Sequence, residues 1–163
     1  MKKYFICFAF VFVLSKPLFS KTGISTNIVN LFIGKVPVNQ EYSLNKSFHR
    51  PLKVTNKGDR IIEVVITPKI PEESGLSKDF LQTPDLNWIK IVPDRFRLNP
   101  KQANLSDVII TIPDKRKYKG RNYQVNIEIS GAATDDKRGL QIVPSLLSKL
   151  RFTVDGRKSF LFW

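Results

Sequence analysis

The sequence predicts an all-β protein, an antiparallel sandwich of about seven to nine strands preceded by a signal peptide. Three observations predict it. From Pro93 to Gly131 apolar and polar residues alternate with a period of two, the mark of half-buried strands. Proline and glycine punctuate each junction, as tight turns between antiparallel strands require. No stretch carries a convincing 3.6-residue period, and there is no internal repeat or low-complexity segment.

The organising stretch reads as three successive strands. In Pro93–Pro100, Phe96 and Leu98 alternate with charges. In Leu105–Pro113, Val108, Ile110 and Ile112 share one face. In Asn122–Gly131, Tyr123, Val125, Ile127 and Ile129 share a face, with Gln124, Asn126 and Glu128 opposite.

The first twenty residues read as an address. Lys2 and Lys3 precede an unbroken apolar run from Tyr4 to Leu14, and Ser15 and Ser20 follow, which is the layout of a secretory leader. The run is short for a bilayer span, and Lys16 and Pro17 interrupt it, which favours processing over retention as an anchor. Cys7 lies inside that run without the small residues of a lipoprotein signal before it, and the rest of the chain has no cysteine. Thiol catalysis and thiolate metal sites are thereby excluded from the mature part.

The 163-residue chain has a formal charge of +13; three lysines and no acid fall in the leader, leaving +10 on the remainder. That balance attracts anionic partners, such as lipid head groups, acidic glycans or an acidic protein, or else keeps a strand-rich protein soluble and blunts its edges. The leader argues against nucleic acid.

Between Ile24 and Phe48 the pattern is weaker. Ile28, Leu31 and Ile33 fit a strand or an irregular arm, and Tyr42–Phe48 a first edge strand. Leu52–Gly58 and Ile61–Ile66 read as two strands about a turn at Asn56–Gly58. The second is nearly continuous apolar, which predicts a central strand covered on both faces and stopped by Pro68 and Pro71. Glu72–Leu86 is a polar loop with a helical turn near Lys78–Leu81, and Trp88–Val92 opens the next strand with Trp88 as a core plug. Thr134–Gly139 reads as a charged hairpin turn. Gln141–Val143 and Ser148–Val154 follow as a last strand pair, with Leu150, Phe152 and Val154 inward and Lys149, Arg151 and Thr153 outward. The expected organisation is 1–20 signal peptide, 21–48 N-terminal arm or edge strand, 49–156 sandwich and 157–163 apolar tail.

These pieces resemble a known superfamily. Leu52-x-Val54-x-Asn56-x-Gly58 is similar to the second-strand motif of PapD-like and related bacterial immunoglobulin-like domains. Pro93-x-x-Phe96-x-Leu98-x-Pro100 and Val108–Pro113 resemble two strands that follow in those domains. Tyr118-x-Gly120-x-x-Tyr123-x-Val125 resembles the turn into strand F, with Tyr123 at the tyrosine corner and Val125 where antibody domains place a cysteine. The resemblance covers about Leu52–Val154 and implies an immunoglobulin-like sandwich. In the pilus chaperones of the superfamily, edge strands complete a partner's sheet, while an Arg and a Lys anchor the partner's carboxyl terminus. Those chaperones carry two sandwiches, and here only one fits. Lys149 and Arg151 are analogues of the basic pair by strand position, not by motif.

Catalytic constellations are lacking. His49 is the single histidine, Glu72-Glu73 and Asp135-Asp136 are adjacent loop pairs whose side chains point apart, and no glycine-rich phosphate loop is present. Asp135-Asp136 also lacks the spaced oxygens a calcium site needs. The sequence thus predicts no enzyme, no cofactor and no metal. The expected function is binding or assembly in the periplasm or at the cell surface of a bacterium, by edge-strand pairing with an envelope or surface protein such as a pilus or secretion component. An alternative uses the basic run Lys115, Arg116, Lys117, Lys119 and Arg121 to grip an anionic glycan or lipid head groups. A second alternative, suggested by the terminal Phe160-Leu161-Phe162-Trp163, is a small outer-membrane β-barrel, which the apolar runs Ile61–Ile66 and Val108–Ile112 and the proline density oppose.

Overall fold

The computed structural model describes residues 23–134 and 144–156. The leader, Gln141–Val143, Asp135-Asp136 and the apolar tail lie outside the described residues.

Eleven strands among the described residues pair into two sheets that enclose one apolar core. The first sheet holds β1 (Ile24–Thr26), β3 (Glu41–Ser43), β4 (Leu52–Asn56), β7 (Ile89–Val92) and β9 (Ala103–Thr111). The second runs β2 (Asn30–Val36), β11 (Ser145–Val154), β10 (Asn122–Ala133), β5 (Ile62–Lys69), β8 (Arg95–Leu98), with β6 (Leu81–Gln82) added to β10. The closed-ring alternative is corrected by this topology: the strands form two separate sheets with open edges, and their inner faces meet in packed aliphatic and aromatic side chains.

The count exceeds the expected seven to nine because β1, β3 and β6 are only two or three residues long. Segments that short carry no readable period. The sandwich is also not wholly antiparallel, since β2 pairs parallel to β11 and β6 parallel to β10.

The residues expected inside are inside. Leu98, Val108, Ile110, Ile112, Val125, Ile129, Phe152 and Val154 are all fully buried. Trp88 plugs the core as expected, edge-on to Tyr118 at 4.7 Å and Tyr123 at 5.4 Å. Tyr123 opens β10 with its ring between Trp88 and Phe152, and burial raises its hydroxyl above the ordinary tyrosine pKa.

Three expectations are revised. The turn after β4 is a corner between sheets, not a hairpin, because β4 belongs to the first sheet and β5 to the second. Its anchor is the fully buried Asn56. The Asn56 amide donates to Arg60 O at 2.7 Å and Leu98 O at 3.2 Å, and its Oδ1 accepts from Gly58 N at 2.8 Å. Asn56→Ala strands these buried groups and is expected to cost about 2–3 kcal/mol, read from urea unfolding.

Strand β5 is central, but its outward residues Glu63 and Val65 are only half-buried. It also runs through Pro68. Ile66 N donates to Asp94 O at 2.8 Å on the β8 side, so two residues on the missing Pro68 N–H faces the side that β8 has already left.

Tyr42–Phe48 is a strand only as far as Ser43. A short helix α1 (Leu44–Phe48) follows, capped by Ser43 Oγ accepting from Lys46 N at 3.0 Å and ended by His49 at φ 52°. Asp107 on β9 holds this insertion, accepting from Ser43 Oγ at 2.5 Å and Asn45 N at 3.0 Å.

Candidate partner-binding surface

Strand pairing with a partner needs an edge whose main-chain groups face outward and are not shielded by charge, proline or shortness. Among the described strands, β8 carries Arg95 and Arg97 just after Pro93, β7 is four residues with Lys90 outward, and β1 is three residues. Strand β2 differs. It is seven residues long, uncharged from Asn30 to Gly34, and ends the second sheet.

Specific bonds hold β2 in place. The chain crosses from the first sheet to the second at Asn27–Val29. Asn27 Nδ2 donates to Pro51 O at 3.0 Å and its Oδ1 accepts from Lys53 N at 2.8 Å. The fully buried Ser148 donates through Oγ to Ile28 O, and Lys149 N donates to Val29 O at 2.9 Å. Because the Val29 carbonyl faces β11, alternation puts the main-chain groups of Leu31 and Ile33 on that side too. Those of Asn30 and Phe32 face outward. Val29 and Phe32 are also large exposed apolar side chains, 68% and 54% accessible. The register with β11 shifts between Phe152 and Thr153, so Gly34 bulges and ends the regular stretch.

Lys149 and Arg151 sit one strand in from this edge, opposite Asn30 and Phe32. They share the outer face of β11 but are half-buried. Lys149 Nζ donates to Gly75 O at 3.2 Å. The Arg151 guanidinium lies 5.3 Å from the Phe80 ring, which itself meets Phe32 edge-on, and Arg151 Nε has no partner.

The basic run forms a separate patch on the turn from β9 to β10, around a 3-10 turn at Arg116–Tyr118. Lys115, Arg116, Lys117 and Arg121 are exposed, and Lys119 pairs with Asp114 at 2.7 Å. Gly120, at φ 72°, closes this turn, its N–H donating to Val154 O at 3.0 Å. The structure does not bring these cations together with Lys149 and Arg151.

Sequence reasoning missed the cover on the outer face of the second sheet. The segment from Pro71 to Thr83 folds across β10, where Gln124 is fully buried and Asn126 is 7% exposed. Gln124 fastens it, donating from Nε2 to Gly75 O at 3.0 Å, accepting at Oε1 from Ser77 N at 2.9 Å, and accepting at its main-chain O from Thr83 N at 3.1 Å. The available signal was two long amides on a strand otherwise alternating with apolar residues. At the far side of this cover Lys69 bonds Glu128 and holds that carboxyl below the ordinary glutamate range. A depressed folded-state value means stability that is present above the unfolded pKa and lost as pH falls through the folded one. Glu128→Gln is therefore expected to flatten the acid limb of a stability–pH profile and leave the neutral plateau within about 0.5 kcal/mol.

Among the described residues no group of three or more His, Cys, Asp or Glu side chains is placed to hold a metal. No helix among them is long and apolar enough to cross a membrane.

No protein-family model and no curated protein matches the sequence. Solved structures do match in shape. A PapD-like (ASH) domain of human CEP192 superposes with a TM-score of 0.59 at 12% identity, over 89% of this chain and 95% of that one. A chain of the Salmonella enterica SafA pilin–SafB chaperone complex gives 0.57 at 16% identity, and the E. coli chaperone DraB gives 0.55 at 18%; each covers 85% of this chain. The fold is PapD-like. The protein spans 58% of the length of each of these two bacterial chains. Identities this low carry the fold alone. The shared PapD-like architecture bears out the resemblance read from Leu52–Val154, and it extends further, since β1 and β2 join the same two sheets.

Proposed function

We propose that this protein is an exported, non-catalytic binding or assembly module of the bacterial cell envelope. It captures a protein partner by pairing an extended segment of that partner with the open side of β2. The observation that carries this reading is the combination at Asn30–Gly34: outward main-chain groups, no charge, and apolar side chains at Val29 and Phe32. Lys149 and Arg151, beside that edge, would meet an anionic group such as the end of the partner's strand. The likeness to a chain from a chaperone–pilin complex supports a pilus or secretion component as the partner.

The test is capture from an envelope extract with tagged protein, comparing the native chain with edge variants at Asn30 and Phe32. One retained protein that is lost with both variants supports the reading; retention unchanged by either contradicts it.

A second reading rests on the four exposed cations of the β9–β10 turn, which would bind an anionic glycan or lipid surface. It predicts salt-sensitive binding to anionic vesicles or to heparin. Replacing Lys115, Arg116, Lys117 and Arg121 together by Ser should then weaken binding by about tenfold or more at low salt.

A further inference from the structure

We infer, resting on the reading that β2 is the pairing edge, that the extended segment received there carries an acidic side chain, and that Arg50 holds it in the cleft at the Asn30 end of the strand.

The cleft lies where the chain crosses from the first sheet to the second. It holds about 360 Å³ and is lined by Asn27, Ile28, Asn30, Leu31 and Arg50, none of them acidic. The Asn27 side chain is committed to the crossing through its bonds with Pro51 O and Lys53 N. Arg50 and Asn30 are exposed, and among the described residues neither side chain has a hydrogen-bond or ion-pair partner. The other cations beside the edge are less free: Lys149 donates to Gly75 O, and Arg151 lies half-buried against Phe80. A guanidinium offers a carboxylate two parallel N–H bonds, and the Asn30 carboxamide supplies a further donor on the same lining.

Charge chooses between the possible occupants. Lys35 is exposed at the far end of β2, so the uncharged stretch Asn30–Gly34 has a cation at each end. Antiparallel pairing of two β2 strands about Phe32 would bring Lys35 of each copy to the Arg50 end of the other, setting like charges together twice. A neutral segment would take water from Arg50 and return nothing. An acidic segment answers the guanidinium, and it is drawn in by the net positive charge of the chain.

Strand geometry places the acid. The partner residue beside Phe32 lies on the outer face, with Phe32 and Phe80 meeting edge-on at 6.1 Å. Its sequence neighbours fall on the opposite face, that of Leu31, which lines the cleft. The segment therefore carries an apolar residue with an acid one or three positions away.

The experiment titrates the 15N-labelled full chain at low salt with acetyl-Val-Thr-Glu-Phe-Glu-Thr-Val-amide and, separately, with acetyl-Val-Thr-Gln-Phe-Gln-Thr-Val-amide. Both sequences read the same in either direction, so no strand polarity is presupposed, and their blocked ends leave side chains as the only anions. Saturable shifts of the Asn30–Phe32 amides are expected from both, with the Glu peptide bound about three- to tenfold more tightly and the gap closing as salt is raised. Arg50→Gln should erase most of that gap and leave the Gln peptide unaffected. Lys90→Gln, which removes the same charge from β7, should preserve it. Equal binding of the two peptides at β2, or equal losses in the two variants, overturns the inference and leaves edge pairing standing. A gain seen only when the Gln peptide is given a free carboxyl terminus also overturns it, because the anion is then a chain end. Absence of shifts at β2 with either peptide overturns it too, and envelope capture with the Asn30 and Phe32 variants then decides on the edge itself.

Discussion

Phe152→Ala is expected to destabilise the protein by about 3–5 kcal/mol, a large share of the roughly 5–15 kcal/mol that holds a domain of this size. Phe152 is fully buried near the C-terminal end of β11, between β2 and β10, with its ring 6.0 Å from that of Tyr123. Truncation removes a whole aromatic ring from a packed interior. Because β2 is docked on the same stretch of β11, Ile33 opposite Phe152 loses support as well. The matched control is Leu147→Ala, five residues earlier and on the outer face, where about half the side chain is already in water. It should cost little, about 0.5–1 kcal/mol. Urea midpoints of the two variants measure the difference directly. Equal, small shifts would place β11 in some other environment than the seam of a sandwich.

The second large effect concerns binding. Proline at Asn30 or at Phe32 removes a main-chain N–H from the open side of β2 and leaves the bonds to β11 on the other side intact. Edge strands tolerate proline in that orientation. Asn30→Pro and Phe32→Pro are thus expected to fold, with small changes in the unfolding midpoint, and to lower partner retention by about tenfold or more. Leu31→Pro is the internal contrast. Its N–H faces β11, so the same residue one position along should release β2 and destabilise the domain as well as abolish capture. A retained partner in both outward variants would mean that pairing uses another edge.

Most of the fold is written in alternation. From Phe96 to Ile129 and again from Leu150 to Val154, each residue read as inward is buried or nearly so, because a strand with one face on a core must place apolar residues at every second position. Connectivity between sheets was less visible. The Asn56 corner reads like a hairpin turn because a local run of Asn, Lys and Gly is the same whether the next strand pairs beside the last or crosses to the other layer. Only the fully buried side chain of Asn56, reaching Leu98 O forty-two residues away, distinguishes the two.

The candidate edge was harder still to see. Asn30–Val36 carries glycine, lysine and asparagine among its apolar residues, and its place is fixed by bonds from Ser148 and Lys149, more than a hundred residues later. The basic pair on β11 was legible as outward-facing, but its half-burial depends on Phe80 and on the cover over β10. A polar loop gives no sign in the sequence of which face it will lie on. Gln124 and Asn126 could be read as ordinary outward positions, since the residues that bury them lie about fifty positions earlier.

Site-specific photo-crosslinking in the intact cell tests the central claim most directly. A benzophenone side chain placed in turn at Phe32 on β2, at Val92 on β7 at an edge of the first sheet, and at Arg116 on the basic turn reports which surface meets a partner. The account predicts one discrete protein adduct from position 32 and none of that mass from 92 or 116. An adduct confined to 116, or one formed equally from all three, would contradict it.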